Sequence, residues 1–370
     1  MNSFAATFQK LRRSVYQMAR SGIRVILFDI PLLLVAFVND GLICKLFNIP
    51  RFKEFQRVHA DELHNHFYII VMPNTLHFLV PCLRLIPNTV NVLLILNGVD
   101  AWEEEYLKVH CRDHSIFRLT TFCHSSLSHG SVVNLLIDHN DSNFGILDHD
   151  LYVFNPTIFS RLKFAGDEVA IGAIKWTWTG PEIPRTHFLF FNIELVKKIR
   201  NKYRIGAQIY TSIPYKDRIG TQGYTSIPSR LKPLLASPVL CYINPINWDD
   251  FTLDTLTMLF SLALYDKLSF KFLEATADDL FHIGETSFGT RFSGNKPYLN
   301  YIGLRFIELL QESTLAEHYS SLYDHVSASQ QLLRELHRMP PTAAAISRFE
   351  KGIARIKKRI DLRVAECVPV

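Results

Sequence analysis

The sequence predicts an α/β fold built on a doubly wound, mainly parallel sheet, with helical extensions at both ends. Three observations predict it. From residue 67 onward, apolar runs of strand length alternate with stretches whose apolar residues recur at helical spacing. The first, second and fourth runs are closed by Pro73, Asn97 and Asp148. The fourth run leads directly into two aspartates one residue apart, Asp148 and Asp150.

Phe67 to Met72 is the first strand, fully apolar as a strand covered on both faces should be, and Pro73-Asn74 breaks it. Thr75 to Ile86 carries a helical stripe that ends at Pro87-Asn88, and Val90 to Leu96 is the second strand. Asn97-Gly98-Val99-Asp100 closes that strand, and Ala101 to Val109 follows as a helix with Glu103, Glu104 and Glu105 in its first turn, where acids favour the helix dipole. Ile116 to Phe122 is the third strand, Val132 to Ile137 a short helix, and the fourth strand carries Asp148 and Asp150. Strand and helix in strict alternation make a parallel, doubly wound sheet. Such a sheet gathers ligands at the carboxyl ends of its strands, where Asn97, Asp100 and the two aspartates meet.

The ends differ from this middle. Residues 1 to 22 have Phe4, Phe8, Leu11 and Val15 at helical spacing among Lys10, Arg12, Arg13 and Arg20. Ile23 to Val38 is apolar but interrupted by Asp29 and Pro31, which suits a segment lying on a bilayer or on the protein's own core better than a spanning helix. Residues 51 to 65 form a polar bridge, and Ala343 to Val364 a basic amphipathic tail. Both basic ends suit an anionic membrane surface, the alternative being ends packed on the core with solvated charges. The divisions expected are an extension over 1–65, an α/β domain in two halves over 66–160 and 161–300, and a helical tail over 301–370.

With 48% hydrophobic residues the chain buries a large core and is not disordered. A net charge of +5 is modest and comes without an RNA-binding signature or finger spacing, so no nucleic-acid partner is expected. The cysteines at 44, 82, 111, 123, 241 and 367 include no Cys-x-x-Cys, which suits reduced, buried thiols in a cytoplasmic protein.

Two carboxylates spaced i and i+2 on a strand face one side and address one point. Apolar Gly145-Ile146-Leu147 before them and Leu151 to Phe154 after make the pair costly to bury unless a metal or hydrogen-bond donors meet it. Hard oxygen ligands at the end of such a strand suit a divalent cation with positions left open for a substrate diphosphate.

Pro73-Asn74 after the first strand, Asn97-Gly98-Val99-Asp100 after the second, Gly130-x-x-x-Asn134 opening the third helix and Leu147-Asp148-x-Asp150, in that order, resemble the nucleotide-binding half of GT-A glycosyltransferases, most of all the family-two-like group. The resemblance covers residues 67 to 156. It implies a GT-A-like sheet, a nucleotide-sugar donor held at Pro73, Asn97, Asp100, Gly130, Asn134 and Asp148, and a metal, Mn²⁺ or Mg²⁺, on the Asp-x-Asp motif. Asn97 stands where those enzymes usually carry Asp, which changes the pattern offered to a base.

In the second half, Trp176 and Trp178 offer planes on which sugar rings pack, unless they are core aromatics beside a turn. His187 to Asn192 resembles the acceptor-side strand of the same fold. Arg204 to Pro214 recurs as Arg218 to Pro228, read as a duplicated surface loop. The resemblance places the base of inverting members at an acid opening a helix here, first Asp254 and then Asp250, each also a helix cap in the plainer reading. It likewise implies a third metal ligand at His282, in the loop Phe281 to Gly289. The expected protein is a metal-dependent glycosyltransferase, with a glycan, polysaccharide, lipid-linked or glycolipid acceptor, peripheral on the cytoplasmic face of a membrane. Nucleotidyl transfer on a similar sheet is the alternative, although Pro73-Asn74-Thr75 is no phosphate loop. A non-catalytic membrane-associated protein is another.

Overall fold

A computed structural model describes residues 38–73, 75–121, 126–127, 129–173, 175–176, 182–203, 256–283, 305–306 and 343–367. The chain enters through helices α1 (Val38–Asn48) and α2 (Ile49–Val58) and then alternates strand and helix. These elements are β1 (Phe67–Val71), α3 (Leu76–Leu85), β2 (Val92–Leu96), α4 (Ala101–His110), β3 (Ser115–Arg118), α5 (His129–His139) and β4 (Phe144–Leu147). After them come β5 (Leu151–Val153), α6 (Thr157–Ser160), β6 (Glu168–Gly172), β7 (Lys175–Trp176), β8 (Ile183–Pro184), β9 (Phe188–Phe191) and α7 (Ile193–Tyr203). The last described elements are α8 (Thr257–Tyr265), β10 (Ser269–Phe272), β11 (Leu280–His282) and α9 (Ala343–Cys367).

Every residue of β1 and β2 is buried because alternate side chains feed two separate cores. Phe67, Ile69 and Val71 face one core with α3, Leu107 of α4 and Ile353, Ile356 and Ile360 of α9. Tyr68 and Ile70 face the other, with Phe52 of α2, Val132 and Val133 of α5, and Val196 of α7. The result is a mixed α/β, three-layer arrangement around a seven-stranded sheet in the order β10-β6-β9-β4-β1-β2-β3. The pairs β1–β2, β2–β3, β1–β4 and β6–β10 are parallel, and β9 runs antiparallel between β4 and β6. Strand β1 is the point where the winding reverses, since β2 and β3 lie on one side and β4 on the other. Close packing there depends on Gly145, where a Cβ would fall 2.0 Å from the Phe67 ring.

Four expectations change. Residues 51 to 65 are not a bridge: most of that stretch is helix α2, whose Phe52 is fully buried against Phe117 and Tyr68. The third strand stops at Arg118. Asp148 and Asp150 are not on a strand; β4 ends at Leu147 and the chain turns, with Leu151 N donating to Asp148 O over 3.2 Å. His282 closes strand β11 and is not in a loop.

Among the described residues Cys44, Cys82 and Cys111 are buried, and no helix is long and apolar enough to cross a membrane. The segment 1–37 and the 14-residue repeat lie outside the described residues.

Candidate metal and donor site

The site forms where β4 leaves the sheet beside the reversal at β1, the position at which doubly wound sheets take ligands. Asp148 stands directly after β4. Because β9 runs antiparallel to β4, with Leu147 opposite Phe188, the residue before β9 arrives against Asp148. That residue is His187: its Nδ1 lies 2.8 Å from Asp148 Oδ2, and Asp148 N donates to His187 O over 3.0 Å.

The third group comes from far along the chain. After the turn, β5 pairs antiparallel with β11 in a separate two-stranded sheet, with His282 opposite Leu151. This pairing sets His282 Nε2 3.2 Å from Asp150 Oδ1 and 3.5 Å from Asp148 Oδ2. The rings of His187 and His282 stack with centroids 3.6 Å apart.

The electrostatics follow from this crowding. Burial alone raises the Asp148 carboxyl, but the hydrogen bond from His187 and the charge of His187 and His282 hold it well below the ordinary range. Asp150 is raised by burial and brought below its ordinary value mainly by His282. Burial lowers His282, and the two carboxylates overcome it and push it up to about 10. Cys82, whose Sγ approaches Asp148 O at 3.8 Å, is pushed far up by burial and stays a neutral thiol, so it is no nucleophile.

One ligand atom each from Asp148, His187 and His282 lies within 4.8 Å of the others, the spacing needed to hold one cation. The buried Nε2 of His282 has no hydrogen-bond partner, although two carboxylates stand near it. An unpartnered ring nitrogen beside carboxylate oxygens is a donor set that fits a divalent ion. Side-chain exposure grades from 24% at Asp148 and 17% at His187 through 13% at His282 to 4% at Asp150. Asp148 and His187 therefore face any ligand first, while Asp150 is the most deeply buried of the four.

The remaining expected residues fall differently. Asn97 is fully buried, and its amide is committed within the protein: Nδ2 donates to Leu127 O over 2.9 Å and Oδ1 accepts from Leu127 N over 2.8 Å. That corrects its expected pairing with a base. Asp100 caps α4 in a capping box, its N donating to Glu103 Oε2 over 2.9 Å, so its carboxylate is engaged by the helix. His187 was expected to meet the acceptor and instead joins Asp148. Asp150 falls outside the three-residue group and pairs with His282.

Pro73 is buried in the turn after β1, Gly130 in the first turn of α5, and Asn134 half-buried on α5. Trp176 ends β7. Trp178, Asp250 and Asp254 lie outside the described residues.

Residues 47–196 match the family described as StrH glycosyltransferase N-terminal domain. The match supports a glycosyltransferase. It takes in Asp148, Asp150 and His187 and stops short of His282. No curated protein matches the chain.

Among solved structures, GlyE of Streptococcus pneumoniae TIGR4 aligns at 11% identity over 38% of this chain, with TM-score 0.28. The alignment spans 38% of GlyE's own length. The mannosyltransferase PcManGT of Pyrobaculum calidifontis, solved with GDP-Man and Mn²⁺, aligns at 12% identity over 45% of this chain and 58% of its own, with TM-score 0.29. TarS 1-349 of S. aureus aligns at 12% identity over 80% and 82%, with TM-score 0.31. At such scores the fold class stands on the strand order described above.

Proposed function

We propose that this protein is a metal-dependent glycosyltransferase that moves a sugar, of hexosyl type, from a nucleotide-sugar donor to a carbohydrate, polysaccharide or glycolipid acceptor. The observation that carries this is the convergence of Asp148, His187 and the unpartnered His282 Nε2 at the reversal point of the sheet, inside or beside a stretch matching a glycosyltransferase family.

Asp148, His187 and His282 would hold the ion. A divalent cation bound there supplies positive charge against the negative charge that grows on a departing diphosphate. The protein's own groups do the rest. Asp150 faces the same Nε2 of His282 as Asp148 does and would add a second buried carboxylate beside the ion. Pro73, Gly130 and Asn134 are the remaining proposed donor contacts, and Trp176 and Trp178 the proposed acceptor planes. Asp254, or Asp250, takes the acceptor hydroxyl proton if the reaction inverts.

Two imidazoles and one carboxylate make a set better suited to Mn²⁺ or a neighbouring transition ion than to Mg²⁺, which favours oxygen ligands. The basic ends, with Leu42, Leu46 and Phe47 exposed on α1, support a peripheral place on the cytoplasmic face of an anionic membrane.

A thermal-shift panel of UDP-, GDP- and CMP-sugars with Mn²⁺, Mg²⁺ or EDTA tests the reading. One nucleotide class should stabilise the protein with Mn²⁺, less with Mg²⁺ and not with EDTA. Stabilisation indifferent to EDTA would reject the metal reading, and no response to any nucleotide sugar would reject the donor.

A further inference from the structure

Strand β11 has only three residues and, among the described residues, a single strand partner, β5, so pairing alone holds its end weakly. A further support is α9. Successive strand residues point to opposite faces, so Phe281 is directed away from His282. Behind the strand, Phe281 packs against the backbone of α9 at Gly352, where an added Cβ would lie 2.3 to 2.8 Å from three ring carbons.

Three residues on, Arg355 grips the approach to the strand, donating to Ala277 O and pairing with Asp278. The helix is itself anchored by buried Ile353, Ile356 and Ile360 and by the ion pair of Glu350 with Arg305 at 2.9 Å. One helix thus fixes both the segment leading into β11 and the ring next to His282.

We propose that α9 is the positioning element of the metal site, and that Gly352 and Arg355 are positioning residues that set how well His282 meets a cation. This rests on the metal reading above. An alanine at position 352 must displace the Phe281 ring, and the displacement passes to the adjacent His282. Since Ala is a better helix former than Gly, the substitution does not weaken α9 itself.

The test is Mn²⁺ titration followed by electron paramagnetic resonance, with melting temperature recorded for every variant. Gly352→Ala is expected to weaken Mn²⁺ binding about tenfold, within the range seen when outer contacts of a ligand are disturbed. Adding Phe281→Leu to Gly352→Ala should restore affinity by making room. Arg355→Gln should weaken binding by roughly threefold, since it leaves the ring contact intact. In a His282→Ala background, Gly352→Ala should change nothing further, an outcome that a general loss of packing would not give. Wild-type affinity in Gly352→Ala, or an equal loss in both backgrounds, overturns the inference. A wild type that binds no Mn²⁺ would overturn the metal reading itself and this inference with it.

Discussion

The carboxyl ends of β2 and β4 carry similar polar residues and use them in opposite ways. At the end of β2, Asn97 and Asp100 are spent on the fold: the amide ties down Leu127 and the carboxylate caps α4. At the end of β4, Asp148 meets two histidines, and a buried ring nitrogen is left without a hydrogen bond. Groups spent on the fold hold structure, whereas buried carboxylates and imidazoles that converge on one point suit a ligand.

Histidines repeat the lesson. Fully buried His66, among the rings of Tyr68 and Phe144 at the amino end of β1, is pushed down to about 4, chiefly by burial. His282 is also buried, yet its carboxylate neighbours push it up to about 10.

The largest effect expected from this contrast is at β4. Asp148→Asn should lower turnover of the donor identified by the thermal panel roughly a thousandfold, with little change in fold, as befits loss of charge stabilisation at a leaving group. Steady-state kinetics with matched metal concentrations measure it, and a change below tenfold would break the comparison.

Next comes acid stability. The folded-state value of His66 lies below its unfolded value near 6.5, so its contribution is whole above pH 6.5 and is lost as pH falls toward 4. About 2.5 units at 1.36 kcal/mol each amounts to about 3 kcal/mol by pH 4. Denaturant melts from pH 8 to pH 4 should show this slope, and His66→Phe should reduce it, the remainder coming from other buried histidines such as His77, pushed down to about 3 by burial.

Asn97→Ala should cost about 2 kcal/mol of stability, because the peptide groups of Leu127 are left buried without partners. Nucleotide affinity should be unchanged; a nucleotide affinity loss exceeding tenfold in calorimetry would return Asn97 to the donor site. Smallest is Asp100→Ala, at about 1 kcal/mol for a lost cap, with turnover unaffected.

Much of the parallel half was legible in the sequence because local rules govern it. The apolar runs at 67–72 and 90–96, and the helices between them, lie within a residue or two of β1, α3, β2 and α4. Asp148 and Asp150 stand out by type and setting, the family resemblance adds His282, and His282 Nε2 lies 3.5 and 3.2 Å from the two carboxylates. What stayed hidden depends on pairing across long stretches of chain. That β9 runs antiparallel to β4, and so delivers His187 to Asp148, is set by topology and leaves no periodic mark. The one available signal was symmetry: His187 stands immediately before an apolar strand as Asp148 stands immediately after one. The commitment of Asn97 to Leu127 was equally hidden, since an amide reads the same whether it meets a base or a peptide group.

The account turns on His187 as a ligand beside Asp148 and His282, and Mn²⁺ titration of the wild type and His187→Ala tests it most directly. The wild type should bind Mn²⁺ at this site, and His187→Ala should bind it at least tenfold more weakly while keeping its melting temperature within a few degrees. Equal Mn²⁺ affinity in the two proteins, or no binding by the wild type, would contradict it.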